Sequence, residues 1–220
     1  MTSFVLVHGA FRGGWSWDRV APLLRAAGHE VHAPTLSASP TGLDTWVDEV
    51  AALITDDVVL VGHSQGGVVV REVAVRASVS HVVYLDAAVP DPGERAVDVG
   101  PGPVDESMLP PREALVPARP LTAGGDLDEA TAAWMNERLA PTPFAPSLDR
   151  ASLGEPAVPT TYLFCTETPT AYPCGTTRSR LEERGIPYAW VEAGHDAPLT
   201  RPEAVAELLL RAATTEETRA

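Results

Sequence analysis

The sequence contains no lysine; all 16 of its basic residues are arginine. That absence removes a phosphate-gripping P-loop lysine, a pyridoxal Schiff base and a lysine general base from consideration. Basic charge is scarce altogether, since 30 acidic residues leave a formal net charge of −14. Nucleic acids and anionic membranes select basic patches, so neither is an expected partner. A solvated acidic surface that favours solubility accounts for the charge. Cysteine is nearly absent too, with only Cys165 and Cys174, too few for a secreted disulfide scaffold. Cys165 lies in an apolar run and reads as a small buried residue. The N-terminal stretch MTSFVLVHGAF lacks a basic region and a small-residue cleavage site. Its apolar run is too short to span a bilayer. A cytoplasmic location is the expectation.

What the chain does have is 45% hydrophobic residues over 220 positions, enough for one α/β domain with a substantial core. Short β-rich runs alternate with helical segments. Strands are expected at Ser3–Val7, Glu30–Ala33, Val58–Val61, His81–Leu85, Thr160–Cys165 and Tyr188–Val191. Helices are expected at Trp17–Ala27, Leu43–Ile54, Gln65–Ala77, Thr176–Arg184 and Pro202–Ala213, with a fraying polar tail TTEETRA after the last. Wholly apolar strands such as VVLV suit a parallel sheet covered on both faces. Alternation of strand and helix implies right-handed crossovers and a mostly parallel, doubly wound sheet. Residues 90–159 break the pattern: PDPG, PGPV, LPP and APTPFAP make them proline-rich, with one helix expected near Leu127–Leu139. Trp134, Met135, Leu139 and Phe144 give this segment something to bury, so it reads as a lid inserted into the single domain 1–220 rather than a linker.

Ligands of open parallel sheets bind beyond the carboxyl ends of the strands. Gly62–Gly66, GHSQG, directly follows VVLV. This is a G-x-S-x-G elbow in the setting it requires, strand then tight turn then helix, and it makes Ser64 the candidate nucleophile. VHGAFRGG follows the first strand and can present backbone N–H groups; Ala10 and Gln65 are the candidate oxyanion donors. AGHDAP follows the last strand. His195 is the candidate base, by elimination of His29, His32, His63 and His81, which lie at a helix end, on strands or too close to Ser64. His8 reads as a residue that hydrogen-bonds backbone, and Trp15 and Trp17 as packing residues.

These pieces resemble the α/β-hydrolase family, and within it the small branch of plant-type methylesterases, hydroxynitrile lyases and their bacterial relatives. The resemblance rests on FVLVHGAFRGGWSWDRVAPLLRAAGHEVHAPTL, VVLVGHSQGGVV, VYLDAAVPDPG, ERLAPTPF and AGHDAP. It implies a cofactor-free serine hydrolase acting on a small-molecule ester or thioester, with residues 90–159 as its lid and Phe11 and Trp134 among the candidate pocket residues. The lyases of the branch carry a lysine after the catalytic histidine and a threonine in the oxyanion turn. Here Asp196 and Gly9–Ala10 stand there, which speaks against a cyanohydrin lyase.

A second departure concerns the acid of the triad. The family places it in a turn of the form C-T-x-D-P, and the matching residue in CTETP is Thr168. A neutral threonine cannot stabilise an imidazolium. Asp86, at the end of HVVYLD, and Glu167, next to Thr168, are the two candidate substitutes, and a triad with no working acid is the third alternative. The altered acid also motivates a different reading: a lyase, cyclase or decarboxylase that uses His195 as a base without an acyl-enzyme.

Overall fold

The structure is a computed structural model that describes residues 2–39, 41–55 and 57–214. In chain order its elements are β1 (Ser3–Val7), α1 (Ala21–Ala26), β2 (Glu30–His32), α2 (Leu43–Ala51), β3 (Val58–His63), α3 (Gly66–Arg76) and β4 (His81–Leu85). There follow β5 (Leu115–Val116), α4 (Glu129–Asn136), β6 (Thr142–Pro143), α5 (Ala145–Leu148), β7 (Thr160–Cys165), α6 (Pro173–Arg184), β8 (Ala189–Val191), α7 (Ala197–Thr200) and α8 (Pro202–Thr214). Six strands form one sheet in the order β2-β1-β3-β4-β7-β8, and every pairing is parallel.

Alternation within the apolar strands explains why the sheet is covered twice. Phe4 and Leu6 of β1, with Val59 and Val61 of β3, face Trp17, α1 and α8. Val5 and Val7, with Val58 and Leu60, face α2 and α3. Successive side chains of a strand point to opposite faces, so a run such as VVLV feeds both cores. Each fully buried aliphatic side chain contributes about 1.5–3 kcal/mol relative to exposure. The register pairs Val7 with Gly62, His63 with Leu85, Leu85 with Leu163 and Cys165 with Val191. The strands therefore end together, and the turns that follow them share one edge of the sheet.

The helix expected at Trp17–Ala27 is shorter than its pattern. A 3-10 turn covers Gly14–Trp17 and α1 begins only at Ala21. Pro22 lies in its first turn and, lacking an N–H, cannot accept a preceding helical turn. β3 runs on through His63, and α7 is an extra turn the periodicity did not show. Residues 215–220 of the polar tail lie outside the described residues.

Residues 90–159 are ordered over the sheet edge. The expected helix is trimmed to Glu129–Asn136, because Asp128 caps it by accepting the Thr131 N–H and Leu127 pairs with Gly124 instead. Met135 is fully buried, while Trp134, Leu139 and Phe144 are half-buried. β5 and β6 pair antiparallel. The far end of the segment is pinned to α3 by a buried ion pair, Arg71–Glu72. Arg71 Nη2 donates to the Gly154 carbonyl at 2.9 Å, and Glu72 accepts the Ser152 N–H at 3.1 Å. Removing Arg71 leaves the buried Glu72 with only Arg76 Nη2, 3.4 Å away, as a charged partner. Arg71→Met is therefore expected to lower the unfolding free energy by about 3–5 kcal/mol, read from the urea midpoint; a loss below about 1 kcal/mol would contradict this account.

Candidate active site

Ser64 sits between β3 and α3 with φ of +54°, a backbone conformation that non-glycine residues rarely adopt. The turn is locked from three sides. The Ser64 N–H donates to Leu85 O at 3.2 Å, and the Ser64 carbonyl accepts the Gly67 and Ala88 N–H groups at 3.1 and 3.2 Å. The flanking glycines are required by contact rather than by φ. A Cβ on Gly62 would stand 2.7 Å from Gly66 O, and one on Gly66 would stand 2.6 Å from Val7 O.

His195 follows β8 and reaches both partners. Its Nε2 lies 3.0 Å from Ser64 Oγ and its Nδ1 lies 2.6 Å from Asp86 Oδ2. A carboxylate can only accept, so Nδ1 carries the hydrogen and Nε2 is left to accept from the serine hydroxyl. Asp86 follows β4 directly, also with positive φ, +47°. Its carboxylate accepts the Thr168 hydroxyl at 2.5 Å and the Cys165 N–H at 3.1 Å. Burial alone would push this carboxyl's pKa up. The His195, Thr168 and Cys165 donors outweigh burial and hold it below the usual range.

Of the two candidate acids, the structure brings only Asp86 to His195. Glu167 is exposed, and its carboxylate extends over Gly125. In the turn that follows β7, Thr168 reaches in to Asp86 while Glu167 is exposed. Thr168 is thus a hydrogen-bond donor to a carboxylate supplied by the neighbouring strand.

Beside Ser64 lies a cavity of about 740 Å³, within the range of small-molecule sites. Ala10, Phe11 and Gln65 line it. Among the described residues, the N–H groups of Ala10 and Gln65 have no acceptor within the fold. Phe11 is held with φ of +65° by its N–H to Thr142 Oγ1, 2.6 Å, and by its carbonyl, which accepts the Ala140 N–H at 3.0 Å. Trp134, a candidate pocket residue from the sequence, is not in the cavity wall. It packs edge-on against Trp15 with the Arg138 guanidinium over its ring, because α4 turns Met135 inward instead. Residues 90–159 supply Val97, Val116, Leu121 and Leu139 to the wall.

Residues 4–208 match the alpha/beta hydrolase family. The chain belongs to that family. A carbendazim hydrolyzing esterase of Nocardioides sp. (strain SG-4G) is 41% identical over 126 residues, half of each chain. Salicylic acid-binding protein 2 of Nicotiana tabacum is 47% identical over 78 residues, 29% of this chain and 30% of that one. The chain thus spans half or less of the length of these curated relatives. An extracellular α/β-hydrolase from a Paenibacillus species superposes with a TM-score of 0.76 over 96% of this chain and 99% of that one, at 24% identity, a likeness of fold.

Further contacts surround this α/β-hydrolase site, and the Arg12–Asp196 pair and Tyr172 among them were not singled out from sequence. Asp196 forms a largely buried pair with Arg12 at 2.5 Å. Burial would raise its carboxyl pKa, but the Arg12 charge holds it below the usual range. No local signal could have found this pair, since its members lie at opposite ends of the chain. His8 does hydrogen-bond backbone: the Leu36 N–H donates to Nε2, so Nδ1–H donates to Gly9 O. Tyr172 stands edge-on to the His195 ring at 4.6 Å between centroids. The ligating atoms of Asp86, Cys174 and His195 lie within 4.8 Å of one another, but Asp86 and His195 already bond each other. Burial, with the Asp86 carboxylate nearby, pushes the Cys174 thiol up to about 12.

His63 lies behind the base. Its Nε2–H donates to the His195 carbonyl at 2.8 Å and the two rings are 4.7 Å apart. Full burial, helped by the charges of His195 and Arg12 and opposed by Asp196 and Asp86, pushes its pKa down to about 3. An unfolded imidazole titrates near 6.5, so between these values the unfolded chain binds the extra proton and stability falls as pH falls. Asp86 and Asp196, also depressed, act in the same direction. The ring signals of His63 are expected not to titrate between about pH 5 and about pH 8 in NMR spectra; a midpoint inside that range would refute the buried neutral assignment.

Proposed function

We propose that this protein hydrolyses a small-molecule carboxylic ester, or thioester, through an acyl-Ser64 intermediate. The observation that carries the reading is the continuous hydrogen-bonded chain from Ser64 through His195 to Asp86 at the mouth of an apolar cavity. Ser64 Oγ attacks the carbonyl carbon while its proton passes to His195 Nε2. The carbonyl oxygen becomes an oxyanion and takes the Ala10 and Gln65 N–H groups. His195 then returns the proton to the leaving alcohol or thiol, and the acyl group stays on Ser64. A water, deprotonated by His195, attacks the acyl carbon; the bond to Ser64 Oγ breaks, His195 returns the proton to Oγ, and the carboxylic acid leaves. Asp86 stays ionised throughout and stabilises the imidazolium.

Residues 90–159 act as the lid, which excludes water and shapes the acyl pocket. The names of relatives, carbendazim hydrolyzing esterase and the methylesterases of Arabidopsis thaliana among them, support an ester substrate. No helix among the described residues is long and apolar enough to cross a membrane, and a small molecule in the cytoplasm is the proposed partner. The lyase, cyclase or decarboxylase reading drew its motive from a missing acid, and the position of Asp86 takes that motive away.

Intact mass after exposure to a fluorophosphonate tests the acyl-enzyme. Rapid single labelling of the wild type that vanishes in Ser64→Ala is the expected result. Asp86→Asn is expected to slow ester turnover by about 10³–10⁴-fold, while Glu167→Gln stays within about twofold of wild type. A folded wild type that takes no label would move the assignment to the non-hydrolytic chemistry.

A further inference from the structure

Arg119 is the one arginine among the described residues with no hydrogen bond, ion pair or ring contact. It lies in the wall of the cavity that opens on Ser64. The other charges of that wall are already matched. Arg12 is paired with Asp196, and the Asp86 carboxylate is engaged by His195, Thr168 and the Cys165 N–H. A chain of net charge −14 therefore carries its unmatched charge at this cavity as a cation.

The backbone that bears Arg119 is held in place. Pro120 follows it, which restricts Arg119 itself to extended conformations. Leu121 is clamped in turn by Asn136, which accepts its N–H at 2.7 Å and donates to its carbonyl at 2.9 Å. The wall that holds Arg119 and Ser64 also presents apolar side chains, among them Val97, Val116 and Leu139.

The geometry points to a substrate ester whose acyl part carries a carboxylate at its far end, joined to the scissile carbonyl by an apolar spacer. This inference rests on the serine-esterase reading above and names its substrate class. A guanidinium receives a carboxylate through two parallel hydrogen bonds, a geometry that an ammonium or a neutral side chain does not offer. The acyl part is favoured over the alcohol because it remains on Ser64 until water releases it, so its distal contact serves both chemical steps. Hydrolysis then adds water across the ester bond and yields a dicarboxylic acid and an alcohol.

The test compares mono-(4-nitrophenyl) suberate with 4-nitrophenyl octanoate, which differ only in carboxylate against methyl at the far end. The ratio of their kcat/KM values is expected to fall by about threefold to tenfold in Arg119→Gln, through KM, and to fall less in Arg119→Lys. Raising the ionic strength should shrink the wild-type ratio. A ratio unchanged by Arg119→Gln, with nitrophenol still released, overturns the inference and leaves the esterase reading standing. Calorimetric binding of the suberate hemiester to Ser64→Ala, with and without Arg119→Gln, reads the same contact without turnover. Equal affinities there overturn it as well, whereas weaker binding without Arg119 supports it even if the acyl-enzyme mechanism fails.

Discussion

The hydrogen bond between Asp86 and His195 is the contact on which the rest of the site depends. It fixes which imidazole nitrogen carries the hydrogen, and so whether Ser64 faces an acceptor or a donor. The carboxylate could not serve if it were buried unpaired, because an isolated buried charge neutralises instead. Thr168 and the Cys165 N–H supply the two further donors that keep it ionised. Thr168, in the turn after the neighbouring strand, holds the Asp86 carboxylate through its hydroxyl. Since β4 and β7 are adjacent and parallel, the two positions lie side by side.

That adjacency comes from the sheet. Parallel pairing in register brings five strand ends to one edge, and the residues that follow them converge. The convergence is bought with backbone strain. Three of the four described non-glycine residues with positive φ, Phe11, Ser64 and Asp86, stand at the site. Such conformations persist only where the surroundings over-determine them, and here each is held by backbone or hydroxyl hydrogen bonds to a neighbouring strand end or to the 90–159 segment.

Charge is handled differently in the interior and at the cavity. Arg71–Glu72 and Arg12–Asp196 are buried and paired, one fastening the inserted segment and the other bracing the loop of His195. His63 stays neutral beneath His195 and holds its carbonyl. A proton there would place a positive charge in a fully buried site, and burial is the largest cause that keeps this ring neutral.

Much of this was legible in the residues themselves. Apolar four- and five-residue runs, the glycines around Ser64 and the order of serine before histidine specify strands, elbow and base, because each depends on local sterics or on period. Helix limits were legible only in part: Pro22 and Asp128 moved them through single-residue effects. The choice between Asp86 and Glu167, the displacement of Trp134 from the cavity and the pairing of Arg12 with Asp196 were not legible. These depend on which side chains meet across the sheet, between residues far apart in the chain. Local chemistry along the sequence determined the candidate nucleophile, the candidate base and the kind of fold; the register of parallel strands, a property of the packed molecule alone, decided which carboxylate meets the histidine.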